Sequence, residues 1–472
     1  MGILSKEVPV TPPLASQKRC RIYLYHGSGW GNAGDSAQML CALERLERMI
    51  PDAEVVVAKV YAVDDTQLYR DRPIGIGISP FLHKPLPPII RSVMALWRRI
   101  PLLGRLHSVV MWHVLSSRGR RLVWAAAIAR RTGRVPLLNA KGREFVRLIA
   151  SSDAVYCSGG GNLNDKWLTS ELVPRCTLYR VAHALRKPLI VSGQGIGPLK
   201  SRKGEALLAR SMRWARIIGC RDFSESRDLL LKLGLEQSKP VSLGDDATDL
   251  RVSPPQRIRE ILQAEAVTDD GKPLVAVHVR LHTFPQDFRK HESVTRYVQT
   301  LDAMIEELDC RLLFIPITYA RAKAYDQDMG DAFEIFTRLK NRNRCHFICR
   351  EAYSPPDMKG VVAACKLVVA FSYHAWVFGM TSGVPALGLF FGDYFRLKAE
   401  GFFAWYDRRQ WAINIQSIQK ESFLEMIREI MGNYDCHRRH LLDVTQEMSR
   451  SVQMPAQMLR DALQQDGSPA GC

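Results

Sequence analysis

The chain has 472 residues, 46% hydrophobic and 24% charged. That is enough for about three domains, or two large ones, and it excludes both a disordered chain and a miniature held by staples. Sixty-six Lys and Arg against 48 Asp and Glu leave a net charge of +18, whose location matters more than its sum.

In chain order, residues 1–19 read as a flexible lead. They hold no apolar run behind a basic start, so they do not read as a signal peptide, and Gly2 with Ser5 fits only part of a lipidation pattern. RIYLYHG (21–27) predicts a strand that enters a glycine-rich turn. ALERLERMI (42–50) has helical spacing, and EVVVAKVY (54–61) is the next strand, so an α/β unit opens the chain.

The alternation then breaks. Residues 81–150 hold fourteen Lys or Arg and one acid, Glu144, a local +13 mixed with Trp97, Trp112 and many aliphatics. Strands resume at 153–161, 187–197, 215–222 and 239–246, each ending in glycine or polar residues. RVSPPQ (251–256) reads as a domain boundary. A second series follows at 271–280, 310–318, 345–351, 365–372 and 384–391, with helical segments near 293–308, 329–340 and 357–364.

The expected fold class is α/β, with two domains of mostly parallel strands and an interdomain cleft. Residues 20–255 form the first domain, with a basic amphipathic insertion at 81–150, and 256–425 form the second. Residues 426–472 read as C-terminal helices and a flexible tail. No run of 18 or more apolar residues predicts a spanning helix. Eleven cysteines, an odd number without a CxxC pair, point to free thiols in a reducing compartment. Cys345 and Cys349 flank His346, but no second ligand cluster supports a metal site there.

Ligands of parallel sheets bind at the carboxyl ends of strands, and the candidate residues lie there. The turn HGSGWGNAGDS (26–36) offers Gly31, Asn32 and Asp35, with backbone N–H groups suited to an anion or Asp35 serving as a helix cap. SGGGNLND (158–165) offers Gly160, Gly161 and Asn162, where glycine permits close backbone approach. Gln194 sits in SGQGIGP. In CRDFSES, Arg221 can clamp a carboxylate or phosphate, or pair with Asp222, and Ser224 marks a helix start. In GDDATD, Asp245 and Asp246 suit a cation or a cap. Arg280 follows His278 at a strand end. In AFSYHAWVFGMTSGVP (370–385), a strand ends at Ser372 and His374 opens the next helix, either to exchange a proton near neutral pH or to cap locally. Lys398 follows the next strand.

These pieces, in this order, resemble the polysaccharide pyruvyl transferase family over roughly residues 21–400. The matching stretches are Gly31–Asp35, Gly159–Gly161, Gly193–Pro198, Arg221–Ser224, Gly244–Ala247, Ser372–His374 and Gly383–Pro385. Each motif is weak alone; the shared order is what makes the signal specific. The resemblance implies two Rossmann-like domains in a glycosyltransferase-B-like arrangement. It implies transfer of an enolpyruvyl group from phosphoenolpyruvate onto two sugar hydroxyls, with phosphate released and no cofactor or metal required. His374 matches the family's catalytic His, the acid toward the donor's methylene carbon, and Arg221 matches a donor-binding Arg. One departure stands out: the family has Arg two residues before that His, where this chain has Ser372. Arg280 or Arg396 would then have to supply the charge, or the donor differs.

The expected partners are therefore phosphoenolpyruvate or another anionic donor and a glycan acceptor, lipid-linked or not. The alternatives are a nucleotide-sugar-dependent glycosyltransferase of the same architecture and a non-catalytic glycan-binding member of the fold. Nucleic acid is not expected, since no zinc-finger or RNP-like signature accompanies the charge. The expected location is cytoplasmic. The make-up of 81–150 suits peripheral contact with an anionic membrane, an anionic glycan nearby, or a solvated helix.

Overall fold

The computed structural model describes residues 20–26, 31–59, 72–82, 101–136, 138–285, 288, 291–318, 327–350 and 352–467. The lead 1–19, Gly27 and Gly29 of the first turn, the stretch of the insertion around Trp97 and the last five residues lie outside the described residues.

The strands are β1 Arg21–Tyr25, β2 Glu54–Lys59, β3 Ile74–Ile76, β4 Ala154–Cys157, β5 Gly160–Leu163, β6 Leu189–Ile196, β7 Ile217–Cys220, β8 Pro240–Ser242, β9 Leu274–His278, β10 Arg311–Phe314, β11 Cys345–Phe347, β12 Leu367–Ala370, β13 Ala386–Phe390 and β14 Ala412–Asn414. Runs such as AVYC, RLLF and LVVA are buried along their whole length, as strands covered on both faces must be. The first sheet has the order β3-β2-β1-β4-β6-β7-β8, with β5 beside β6. The second has the order β11-β10-β9-β12-β13-β14. Every pairing between these strands is parallel, so each connection must cross over, and helices make most of the crossings.

In both sheets the winding reverses once, between β1 and β4 and between β9 and β12. A crevice opens at the carboxyl ends of strands at such a point. The chain that leaves β1, β4, β9 and β12 carries Asn32, Gly161, Arg280 and His374, so the two crevices supply the candidate site from both sides.

The helix Ala33–Met49 belongs to both domains. Ala33, Ala37 and Cys41, at steps of four, enter the core of the second domain, while Met39, Leu43 and Leu46 pack on β1 and β2. Ala33 N–H also donates to the Ile317 carbonyl at 2.8 Å, and Lys359 Nζ donates to the Leu250 carbonyl at 2.7 Å. The final helix, Met454–Gly467, returns to the first domain, where Ala456 and Leu459 join the core with Ile22, Leu24 and Val55.

The basic insertion is part of the first domain's helical layer. Its helix Pro101–Thr132 packs along Val173–Ala184 and sinks Leu115, Leu122, Ala125, Ala126 and Ala129 into the core. A second helix, Ala140–Ser151, is capped by Asn139 and leads into β4. The ten described cysteines are free. No described helix is long and apolar enough to cross a membrane.

Candidate active site

His374 is the second residue of the helix Tyr373–Met380, which starts just after β12. Its ring is buried against the backbone of Gly34, so closely that a methyl built on Gly34 would overlap ring atoms Cγ and Nδ1. Its Nε2 is buried without a hydrogen bond among the described residues, 3.9 Å from Asp245 Oδ2. Burial first, then Arg221, Lys398 and Arg280, hold the imidazole pKa well below its ordinary value, so these surroundings favour the neutral ring.

Arg221 leaves β7 into a slot with glycine along one wall. A Cβ on Gly195 would lie 2.6 Å from its Nε, and one on Gly161 would strike its Nη2. The guanidinium stacks 4.0 Å from the Tyr373 ring centroid, and its nearest carboxylate is Asp245, at 3.5 Å from Nη1. Lys398 approaches the same ring, 5.0 Å from its centroid. It makes no ion pair among the described residues, and burial, then Arg221 and Arg280, lower its pKa well below the usual lysine range. Arg280 is anchored from behind: Nε and Nη2 donate to the two oxygens of Asp328 at 3.0 and 2.8 Å and Nη2 also donates to Thr318 Oγ1 at 2.8 Å, which leaves Nη1 over among the described residues. His278 Nε2 meets the same carboxylate at 3.0 Å. Burial would raise Asp328, but Arg280 and His278 outweigh it and hold the carboxyl well below the usual range.

His374, Arg221, Tyr373, Lys398 and Arg280 line a cavity of about 330 Å³ between the domains. Of the residues expected from sequence, Asn32, Asp35, Gly161, Asn162, Arg221, Arg280, Ser372, His374 and Lys398 reach its wall. Lys166, Trp167, Tyr373, Tyr394 and Phe395 join them and were not expected. Tyr394 is fixed by its hydroxyl, which donates to the Gly161 carbonyl at 3.0 Å across the cleft, and Lys166 Nζ lies 5.4 Å from the centre of its ring. A neighbouring chamber, also of about 330 Å³, shares Gly161, Arg221, Tyr373, Tyr394 and Lys398 and is otherwise lined by groups such as Ile196, Leu199, Leu229, Asp222 and Glu225.

Other expected residues lie elsewhere. Gly31, with φ 95°, and Gly160 line neither chamber, and a Cβ on Gly160 would meet Arg175 Nη2 at 3.0 Å. Gln194 lies buried below, donating to the carbonyls of Ser158 and Ser192 at 2.6 and 3.0 Å and accepting from Arg175 at 3.2 Å. Ser224 occupies a helix start without a side-chain cap bond, and it is Ser226 whose hydroxyl accepts from Ile196 N–H at 2.7 Å. Arg396 pairs with Glu400 at 2.8 Å and lines neither chamber, so of the two arginines considered as replacements for the one missing at Ser372 only Arg280 reaches the cavity.

The acidic pair divides its work. Asp246 is fully buried and accepts from Arg45, Ser192 and the Gly159 N–H at 2.9, 2.6 and 2.7 Å, tying the chain after β8 to the helix Ala33–Met49, to β6 and to the turn after β4. Asp245 turns toward His374 and accepts from Gln38 at 2.6 Å, and burial pushes its carboxyl up to about 6. Among the described residues no group of three or more His, Cys, Asp or Glu is placed to hold a metal ion.

Two Rossmann-like domains facing each other across such a cleft define the glycosyltransferase-B architecture, and solved proteins share it. HepE from Anabaena, in complex with UDP, matches at 14% identity with a TM-score of 0.50 over 94% of this chain and 100% of its own. The UDP-GlcNAc 2-epimerase from Neisseria meningitidis, bound to UDP-GlcNAc, matches at 7% identity and 0.53 over 94% and 99%. A glycosyltransferase from Rickettsia africae matches at 10% and 0.52 over the same shares. At these identities the likeness is one of fold. The sequence is more specific: a profile of polysaccharide pyruvyl transferases matches residues 32–389. The chain belongs to the polysaccharide pyruvyl transferase family, and it is a transferase.

Proposed function

We propose that this transferase moves a pyruvyl group from phosphoenolpyruvate to two hydroxyls of a glycan, closing a cyclic ketal and releasing phosphate. The observation that carries this reading is the convergence of Arg221, Arg280 and Lys398 on one cavity around a His374 that they keep neutral. Like charges held together in a buried place call for an anion with more than one charge. Phosphoenolpyruvate brings a carboxylate and a phosphate at a spacing that several cations can share. Lys398 and the spare Nη1 of Arg280 take the part of the guanidinium missing at Ser372.

The donor's charge raises the pKa of His374, so donor binding loads the catalytic acid. His374 then gives its proton to the methylene carbon, and the neighbouring carbon, now electron-poor, takes the first acceptor hydroxyl. The C–O bond to phosphate breaks, and the second hydroxyl closes the ketal. One hydroxyl proton restores His374 and the other leaves on phosphate, so the step balances without a redox partner. Asp245 lies near enough to His374 to relay the returning proton. The aromatic wall of Trp167, Tyr394 and Phe395 and the polar Asn32, Asp35 and Asn162 suit the two faces of a sugar ring. The acceptor is a polysaccharide or a lipid-linked glycan, and the lipid-linked case requires contact with a membrane surface.

The test is phosphate release from phosphoenolpyruvate with candidate glycans, read with the mass gain of the acceptor. Release that needs both glycan and His374 is expected. Tight binding of a nucleoside diphosphate without any such release would replace the reading by sugar transfer from a nucleotide sugar. A His374→Ala variant as active as the wild type would remove the proton role.

A further inference from the structure

The helix Pro101–Thr132 presents a surface that the chemistry of the cleft does not use. Gly119 packs on Thr177, and the charge of Arg130 bears on His183, so this helix runs beside Val173–Ala184 in the same direction. Its outer side carries Val109, His113, Arg120, Trp124 and Arg131, at steps of four, seven, four and seven residues, which is one stripe along a helix. All five are exposed, Val109 at 48% and Trp124 at 50%.

Two further elements extend the patch. Trp214, 49% exposed, stacks on His183 with ring centres 3.8 Å apart. Arg180 and Arg210 stand on the next two helices, Val173–Ala184 and Arg202–Met212. Burial first, then Arg210 and later Arg120, lower the pKa of Arg180, so the charges of three helices bear on one another. Of the nearby acids, Glu171 is turned inward to Arg175, and Glu205 stands in the first turn of its helix while Arg210 stands in the last. Among the described residues no ion pair reaches Arg120, Arg130, Arg131, Arg180 or Arg210.

Unpaired arginines interleaved with half-exposed tryptophans on the outside of a helical layer match an anionic bilayer, where indoles enter the interface and guanidinium groups meet headgroups. A nucleic-acid strand would call for a groove with stacking platforms, and none of these residues lines a chamber. The long helix also touches the turn Leu168–Leu172, which gives Ser170 and Glu171 to the reaction cavity.

We propose that this three-helix surface docks the protein on anionic lipid, which brings the rim of the cavity near Ser170 toward the plane where a lipid-linked acceptor is presented. The surface does not depend on the identity of the donor. The test is co-sedimentation of the full chain with phosphatidylcholine vesicles, with and without phosphatidylglycerol. The expected result is binding to the anionic vesicles alone, weakening with salt, with a blue shift of tryptophan emission. Each basic residue at such a surface is worth about fivefold in partitioning. The triple variant Arg120→Glu, Arg130→Glu, Arg131→Glu should therefore lose at least about a hundredfold. All three sites are exposed, and Arg130 and Arg131 stand in the last turn of their helix, so its melting curve should fall by no more than the few degrees that a reversed helix-end charge costs; its phosphate release with a water-soluble glycan should match the wild type, which separates loss of docking from loss of fold or of chemistry. Wild-type sedimentation by the triple variant, or a wild type that ignores anionic vesicles and binds single-stranded nucleic acid, would overturn the proposal.

Discussion

Substituting Gly195 by Ala tests the role of Arg221 without touching any charge. A methyl group at that position would lie 2.6 Å from Arg221 Nε, where ordinary contact begins at 3.4 Å, so the guanidinium must shift by about 0.8 Å. It has little room, with Tyr373 stacked 4.0 Å away and Gly161 against its far edge. A charge-assisted hydrogen bond near 2.9 Å, stretched by that amount, passes beyond hydrogen-bond reach. Losing one such bond costs about 1.5–3 kcal/mol, or roughly ten- to hundredfold in affinity. Calorimetric titration of phosphoenolpyruvate into Gly195→Ala should therefore show a Kd raised by that factor. Gly432→Ala, at the end of the helix Lys420–Gly432 and outside both chambers, adds a methyl group that meets nothing within 4 Å; it serves as control and should leave the Kd unchanged. A Gly195→Ala variant that binds within twofold of the wild type would refute the claim that Arg221 holds the donor.

Further outcomes follow from the same geometry. Gly34→Ala drives a methyl group into the His374 ring, so kcat for phosphate release should fall at least about a hundredfold, while the melting curve reports an overpacking cost of only about 1–3 kcal/mol. Because burial and the surrounding cations depress His374 and Lys398, donor binding between pH 7 and 8 should take up protons, visible as binding heats that differ between buffers of different ionisation enthalpy; His374→Gln should reduce the uptake, and proton release would contradict the electrostatic argument. Burial raises the Asp222 carboxyl from 3.8 to about 6, so its ionised form costs about 3 kcal/mol above that pH. Asp222→Asn should be the more stable protein above pH 6. Its advantage should shrink as pH falls from 6 toward 3.8, because the wild-type carboxyl then takes up its proton in the folded state.

The strand ends were legible in sequence because apolar runs stopping at Gly, Ser or Asp have few other uses. For this reason His374, Arg221, Arg280 and Lys398 could be named before their convergence was visible. Tyr394 and Lys166 were not, since each stands in a helical turn following a strand-end loop and reaches the cavity only through the packing of one domain on the other. Gln194 misled because a polar residue after a strand reads alike whether it faces ligand or the carbonyls of Ser158 and Ser192. The two aspartates of GDDATD could not be told apart until Arg45, some two hundred residues away, was seen to claim Asp246. β5 escaped notice because its Gly-Gly-Asn-Leu sequence has little intrinsic strand preference and is extended only by pairing with β6. The charge of 81–150 was plain, but its helix also buries a leucine and alanine stripe, so charge and core occupy opposite sides of one element.

The exchange of helices between the two domains makes them unsuited to separate existence. Ala33, Ala37 and Cys41 complete the core of a domain that begins more than two hundred residues later, and Ala456 and Leu459 return to close the face of the one that begins the chain. Cutting near the linker would leave each half with an apolar face lacking its cover, and removing the last helix would uncover the sheet that carries Arg221. For this architecture the portable unit is the whole chain, and a chimera that swaps donor or acceptor preference must exchange loops at strand ends rather than halves.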